Sequence, residues 1–202
     1  MAYFPFCIDI SGKKCVIVGG GSVAFRKAEK LLDFGADITV VAPKISRCFE
    51  NMPITFIRRE FAVSDIDDAY MVIYAADDKV LAEDIRRVCT EKKIMLNSVD
   101  DKENCSFIFP SIVQKDNITI SISTGGTSPV FAKYLKDRID ELLDEHTLEI
   151  AAVMSEYRNV IKNTFTNEEL RSSANEILLE MCLNLEELPS DEQIRKVLGL
   201  NR

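Results

Sequence analysis

The chain has 202 residues, 47% of them hydrophobic and 29% charged, with a formal net charge of −8. This is ordinary globular composition for one large domain or two small ones, and it excludes a disordered tail, a collagen-like chain and a membrane bundle. The acidic balance argues against general nucleic-acid binding, which needs a basic surface to displace counterions from phosphates. It leaves room for a local basic site that takes an anionic small molecule.

No apolar run approaches the roughly 20 residues of a spanning helix, so no membrane insertion is expected. Residues 1–14 lack the basic, apolar and small-residue succession of a secretory signal, which predicts a cytoplasmic protein. The six cysteines, Cys7, Cys15, Cys48, Cys89, Cys105 and Cys182, include no CxxC pair. They read as reduced, mostly buried thiols rather than a metal or redox centre. A single histidine, His146, leaves little material for a Ser-His-Asp triad or a multi-histidine metal site, and no metal site is expected.

In chain order, Cys15-Val16-Ile17-Val18 is a continuous apolar run that ends in Gly19-Gly20-Gly21. From Ser22 to Phe34, Ala24, Ala28, Leu31 and Leu32 share one helical face, with Gly35 just past its end. Ile38–Val41, Ile54–Ile57, Met71–Ala75 and Ile94–Leu96 read as further strands. Leu81, Ile85, Val88 and Cys89 mark a helix between the last two. Strand and helix in alternation, with a glycine turn after the first strand, predict an α/β fold: a Rossmann-like, doubly wound parallel sheet.

The pattern changes after Asn97. Phe107–Val113 and Ile118–Ile122 are strand-like with no helix between them, and Lys115-Asp116-Asn117 is the expected hairpin turn. Pro110 belongs at an edge or bulge. Ser123–Pro129 leads into a helix with Phe131, Leu135, Ile139 and Leu142 on one face, capped by Ser128 with proline in its first turn. From Thr147 onward the chain reads as all-helical, with capping boxes at Thr166–Glu169 and Ser190–Gln193. The expected division is a nucleotide-binding domain at 1–113, a hairpin–helix segment at 114–146 and a helical domain at 147–202.

Gly19 to Ala24 fits GxGxxA, a dinucleotide fingerprint when it follows a strand and opens a helix. Gly19 lets the strand turn, Gly21 admits a pyrophosphate and the small Ala24 allows close helix–strand packing. The helix N-terminus offers its free amides and positive dipole to the phosphates. The acid that ordinarily grips the adenosine ribose is missing. The corresponding stretch is Thr39-Val40-Val41-Ala42-Pro43-Lys44, and Asp37 comes too early. Backbone around Pro43 and Lys44 is the alternative holder, and Lys44 also suits a 2′-phosphate, so NAD and NADP both stay open on these residues.

Asp100 follows the last strand of this half, at the carboxyl edge where open α/β sheets bind ligands. It is a candidate proton acceptor, and Asp101 reads as the turn residue beside it. Thr124, Gly125 and Gly126, before a helix start, are candidates to meet substrate carboxylates with hydroxyl and amide groups. Arg26, Lys27 and Asp77 read as solvated or capping charges, and Asp78 as a helix cap.

Several stretches together resemble one family: Phe4–Ile10, Gly19–Ala28, Ala75–Asp78, Asn97–Asp101, Phe107–Ile112 and Ser121–Val130. In this order and spacing, over about residues 3–145, they are similar to the precorrin-2 dehydrogenase/sirohydrochlorin ferrochelatase family, which includes the N-terminal part of siroheme synthase. The tail resembles it only in being helical. The resemblance implies NAD-dependent oxidation of precorrin-2 to sirohydrochlorin, in some members followed by Fe2+ insertion to give siroheme. With no methyltransferase domain in view, upstream methylation is expected from another protein. The resemblance also implies a homodimer built around residues 107–145, cofactor contacts at Ser22, Val23, Pro43 and Lys44, and a catalytic aspartate at Asp100. The family's own lack of a ribose acid restores NAD as first choice. Thr124 stands where the family has serine, and it keeps the hydroxyl. The competing expectation is a non-catalytic NAD/NADH sensor whose helical tail signals to a partner; such a sensor has no use for Asp100.

Overall fold

The structure, a computed structural model, describes residues 3–99, 101–185 and 187–200. The chain divides into two compact units, Met1–Phe109 and Pro110–Arg202.

The first unit is built on a parallel sheet of five strands: β1 (Lys14–Val18), β2 (Asp37–Val41), β3 (Thr55–Ile57), β4 (Met71–Tyr74) and β5 (Met95–Ser98), in the order β3-β2-β1-β4-β5. Helix α1 (Ser22–Asp33) joins β1 to β2, and α2 (Lys79–Lys92) joins β4 to β5. Strand alternation sorts the side chains onto two faces. Cys15 and Ile17 of β1 enter one core with Ala24, Ala28 and Leu31 of α1. Val16 and Val18 enter the other with Ile85 and Cys89 of α2. With both faces covered, the inner strands can be continuously apolar, as β4 is throughout and β1 is from Cys15 to Val18. The strand order reverses between β1 and β4, which puts the ligand crevice of such a sheet at the carboxyl ends of these two strands.

The second unit opens with an antiparallel hairpin, β6 (Ser111–Lys115) and β7 (Ile118–Ile122), in which Ser111 faces Ile122 and Lys115 faces Ile118. The turn is Asp116-Asn117, and Asp116 takes the positive φ of 48° that a two-residue hairpin turn demands. Four helices follow: α3 (Pro129–Leu142), α4 (Glu145–Thr164), α5 (Glu168–Leu183) and α6 (Asp191–Leu198). Lys115 donates from Nζ to the carbonyls of Asp140 (2.7 Å) and Leu143 (3.0 Å), satisfying the C-terminal end of α3. The last three helices share a core of Tyr157, Ile161, Leu178, Cys182, Ile194 and their neighbours.

Three expectations shift. The strand expected over Phe107–Val113 begins only at Ser111. Pro110 has no N–H to donate, and Phe107 and Phe109 turn instead into the core on the α1 face, 5.4 Å apart between ring centroids. On α3, Phe131 and Leu142 are exposed, and the inward face runs through Ala132, Leu135 and Ile139. The cap of α5 is Asn167, whose side chain accepts from the Glu169 N–H, so no box forms from Thr166. The Ser190–Gln193 box is present as read. Of the cysteines, Cys15, Cys89 and Cys182 are buried, Cys105 is half-buried, and Cys7 and Cys48 are exposed; all six are free thiols.

Candidate active site

The three consecutive glycines do three different jobs. Gly19 has φ +126°, and a Cβ there would lie 2.2 Å from the Ala75 carbonyl oxygen, so the turn off β1 passes directly against the loop after β4. Its N–H is held by the Val41 carbonyl at 2.9 Å. Gly20, expected with its two neighbours to contact the cofactor, is pressed against the loop after β2. A Cβ there would lie 2.2 Å from the Lys44 carbonyl oxygen, and the Gly20 carbonyl accepts from the Ser46 N–H at 2.9 Å. The loop after β2 is thus clamped onto the glycine loop, which brings Pro43 and Lys44 beside it, both exposed. The run of three glycines was the available signal.

Gly21 is different: a Cβ there would meet nothing within 4 Å. It forms the N-cap of α1 with no side-chain capping bond, and α1 has no acidic residue in its first turn. The leading amides of the helix, at Ser22 and Val23, are therefore left for an outside acceptor, next to open space at Gly21. Ala24 is fully buried under the helix. A pyrophosphate fits this arrangement: backbone donors, a helix dipole, space, and no carboxylate to repel it.

The second cluster lies after β5. Ser106 straps this segment to the edge of the sheet: its N–H donates to the Leu96 carbonyl (2.8 Å), and its Oγ accepts from the Leu96 N–H (2.7 Å). The Asn97 side chain is buried and donates to the Phe107 carbonyl at 3.0 Å. Cys105 Sγ accepts from the Ser98 N–H at 3.1 Å, and burial pushes this thiol above its ordinary value. Val99 N–H donates to the Tyr74 carbonyl at 2.9 Å. Asp101 is a turn residue whose carboxylate accepts from the Asn104 side chain at 2.6 Å. Asp100, the candidate proton acceptor, lies outside the described residues.

Lys27 departs from the solvated reading. Its Nζ sits 3.8 Å from the centroid of the Phe109 ring, and it has no ion pair among the described residues. Burial pulls its ammonium below the usual lysine value, and neighbouring Arg26 adds to this. The aromatic face partly replaces the lost hydration. Nothing near Lys27 in sequence signals this, because its partner is far along the chain. Asp78 caps α2 by accepting from the Val80 and Leu81 N–H groups.

Thr124, Gly125 and Gly126 belong to the second unit. Thr124 Oγ1 accepts from the Ser128 N–H at 3.2 Å, and the Thr127 hydroxyl donates to the Thr124 carbonyl at 2.7 Å, so the Thr124 hydroxyl also braces its own loop. Ser128 caps α3 by accepting from the Phe131 N–H. Both glycines take positive φ, 60° and 77°.

Residues 6–111 match a family model described as "Putative NAD(P)-binding". The chain belongs to this NAD(P)-binding family. Residues 115–142 match a second model, the central part of sirohaem biosynthesis proteins. Among curated relatives, the siroheme synthase of Actinobacillus succinogenes is 38% identical over 166 residues, covering 80% of this chain and 35% of that protein. The siroheme synthase of Photobacterium profundum is 33% identical over 175 residues, covering 85% and 37%. The chain thus spans little more than a third of the length of these relatives. Among solved structures, SirC, a precorrin-2 dehydrogenase, superposes with a TM-score of 0.72 over 98% of both chains at 21% identity, which establishes a shared fold.

Proposed function

We propose that this protein oxidises precorrin-2 to sirohydrochlorin with NAD, in siroheme biosynthesis. The observation that carries the reading is the succession of the two family models, NAD(P)-binding and then sirohaem-biosynthesis central, along a chain whose glycine crevice is shaped for a pyrophosphate. The siroheme synthase relatives support it.

When bound, NAD supplies the hydride acceptor. In this reading Gly19 to Val23 seat its pyrophosphate, and Pro43 and Lys44 flank the adenosine ribose. Asp100 accepts the proton that leaves the macrocycle as its hydride is lost, and Thr124 to Gly126 meet substrate carboxylates. Residues 1–113 carry the cofactor, 114–146 the dimer contacts and 147–202 a helical domain. Fe2+ is the substrate of a second reaction at the same macrocycle site, where a carboxylate also serves to remove pyrrole protons. The working form is a cytoplasmic homodimer.

The test is turnover. Mixed with precorrin-2 and NAD without oxygen, the protein is expected to produce the sirohydrochlorin spectrum together with NADH. NAD binding with no change in the macrocycle spectrum would overturn the enzyme reading in favour of a sensor.

A further inference from the structure

β5 is an edge strand, so the backbone groups on its outer side have no neighbouring strand to pair with. Two consecutive side chains take that place. Ser106 serves Leu96 in the middle of the strand, and Cys105 serves Ser98, its last residue.

Four polar groups converge on the Cys105 sulfur. Its S–H faces the carbonyls of Ser98 and Asp101, each at 3.2 Å. Its lone pairs face the Ser98 N–H at 3.1 Å and the Asn97 side-chain amide at 3.6 Å. A thiol is a weak partner for any one of these groups. Its value here is that a single atom joins the strand end to the loop that leaves it. Asn97 and Ser98 are buried, so their polar groups have little water to turn to once the sulfur is removed. Burial also keeps the thiol protonated, and only the protonated form donates to the two carbonyls.

The loop closed in this way spans residues 99–104, which include Asp100. It starts at Val99, tied to the Tyr74 carbonyl at the carboxyl end of β4, one of the two strands that border the crevice. Farther on, the Asp101 N–H donates to the Ser98 carbonyl at 3.4 Å and the Asn104 N–H to the Asp101 carbonyl at 3.3 Å. A general base works only within hydrogen-bond reach of its proton, and a misplacement of about 1 Å can cost roughly 100-fold in rate. We infer that Cys105 is a positioning residue for the proposed oxidation: its thiol closes the loop 99–104 onto the end of β5 and so sets the reach of the Asp100 carboxylate, without touching substrate or cofactor. The inference rests on the reading that the protein oxidises precorrin-2 with Asp100 as its base.

Steady-state kinetics of precorrin-2 oxidation by Cys105→Ala and Cys105→Ser, with NAD titration of each, test it. Cys105→Ala is expected to lower kcat by about 10–100-fold while KM for precorrin-2 and NAD affinity stay within about threefold. Cys105→Ser, which keeps a donor and an acceptor on the same carbon, should bring kcat back to within about fivefold of wild type. Amide hydrogen exchange in Cys105→Ala should quicken over residues 98–104 and stay unchanged in β1 and α1. Cys105→Val fills the thiol's volume without its hydrogen bonds and takes the place of Cys105→Ala if that variant does not fold. A folded Cys105→Ala or Cys105→Val with kcat within about threefold of wild type, or a loss that Cys105→Ser does not recover, overturns the positioning role and leaves the Asp100 reading standing. An inactive wild type, or an Asp100→Ala variant that keeps its rate, overturns both.

Discussion

Gly19 and Gly21 stand two residues apart, and their substitutions should separate fold from cofactor. Gly19→Ala places a Cβ against the Ala75 carbonyl at a positive φ and should destabilise the first unit by roughly 2–4 kcal/mol. Gly21→Ala meets open space and should shift stability by less than about 0.5 kcal/mol. Thermal unfolding of the two variants checks this, and equal losses would show that the crevice at Gly21 is not open. Asp100→Ala should keep NAD affinity and lower precorrin-2 oxidation by about 10²–10⁴-fold, the usual cost of a general base. Iron insertion, where the wild type performs it, should fall with it. If both rates stay within about threefold of wild type, Asp100 is a turn residue and the base lies elsewhere.

The elements of the helical tail meet at a titratable contact. Tyr157 of α4 donates from its hydroxyl to Asp191 at the start of α6, and Asp191 also accepts from Arg195 at 2.7 Å. Burial, then the Asp191 carboxylate, push the Tyr157 phenol from 10.0 up to about 12, and the Tyr157 bond and Arg195 hold Asp191 below its ordinary value. A raised phenol stabilises the fold while it stays protonated. Its contribution is complete below pH 10 and fades as pH rises towards about 12. The Asp191 contribution has the opposite sign: it is present above the ordinary carboxylate range and fades as pH falls through it. Helical circular dichroism followed to alkaline pH should decline over the phenol's window in the wild type. In Tyr157→Phe the decline should be smaller, at a cost of about 1 kcal/mol at neutral pH. Identical alkaline profiles would show that the Tyr157–Asp191 contact contributes nothing to the fold's stability.

Elements were legible in the sequence where pattern and local chemistry agree. The run Cys15–Val18, the three glycines and the face of Ala24, Ala28 and Leu31 announced β1, its loop and α1. Ser128-Pro129 and Ser190–Gln193 announced helix starts. What stayed hidden depends on partners distant along the chain. Ser106 strapping the edge of β5, Phe107 and Phe109 leaving the strand for the core, and Lys27 stacking on Phe109 are tertiary events with no local periodicity. The clamp of the Lys44–Ser46 loop onto Gly20 is of the same kind.

At the scale of the whole molecule, the second unit leaves Val130, Phe131, Tyr134 and Leu142 of α3 exposed, Val130 at 81% and Leu142 at 72%. Phe131 and Tyr134 stack at 6.0 Å between ring centroids, and apolar side chains exposed together in this way are costly in water and suit a second copy of the chain. Sedimentation equilibrium at micromolar concentration should give twice the chain mass, and Val130→Asp/Tyr134→Asp should shift it towards the monomer. A wild-type monomer would contradict the proposed homodimer.

In the proposed reaction the crevice at the glycine loop holds the dinucleotide on which the chemistry depends, and titration of NAD into folded Gly21→Asp checks this at its root. An aspartate at this N-cap has room and should support α1 by a few tenths of a kcal/mol, so the fold survives. Its carboxylate fills and charges the space meant for the pyrophosphate. The expected outcome is a folded protein with wild-type thermal stability, no measurable NAD binding and no oxidation of precorrin-2. NAD affinity unchanged from wild type would contradict it.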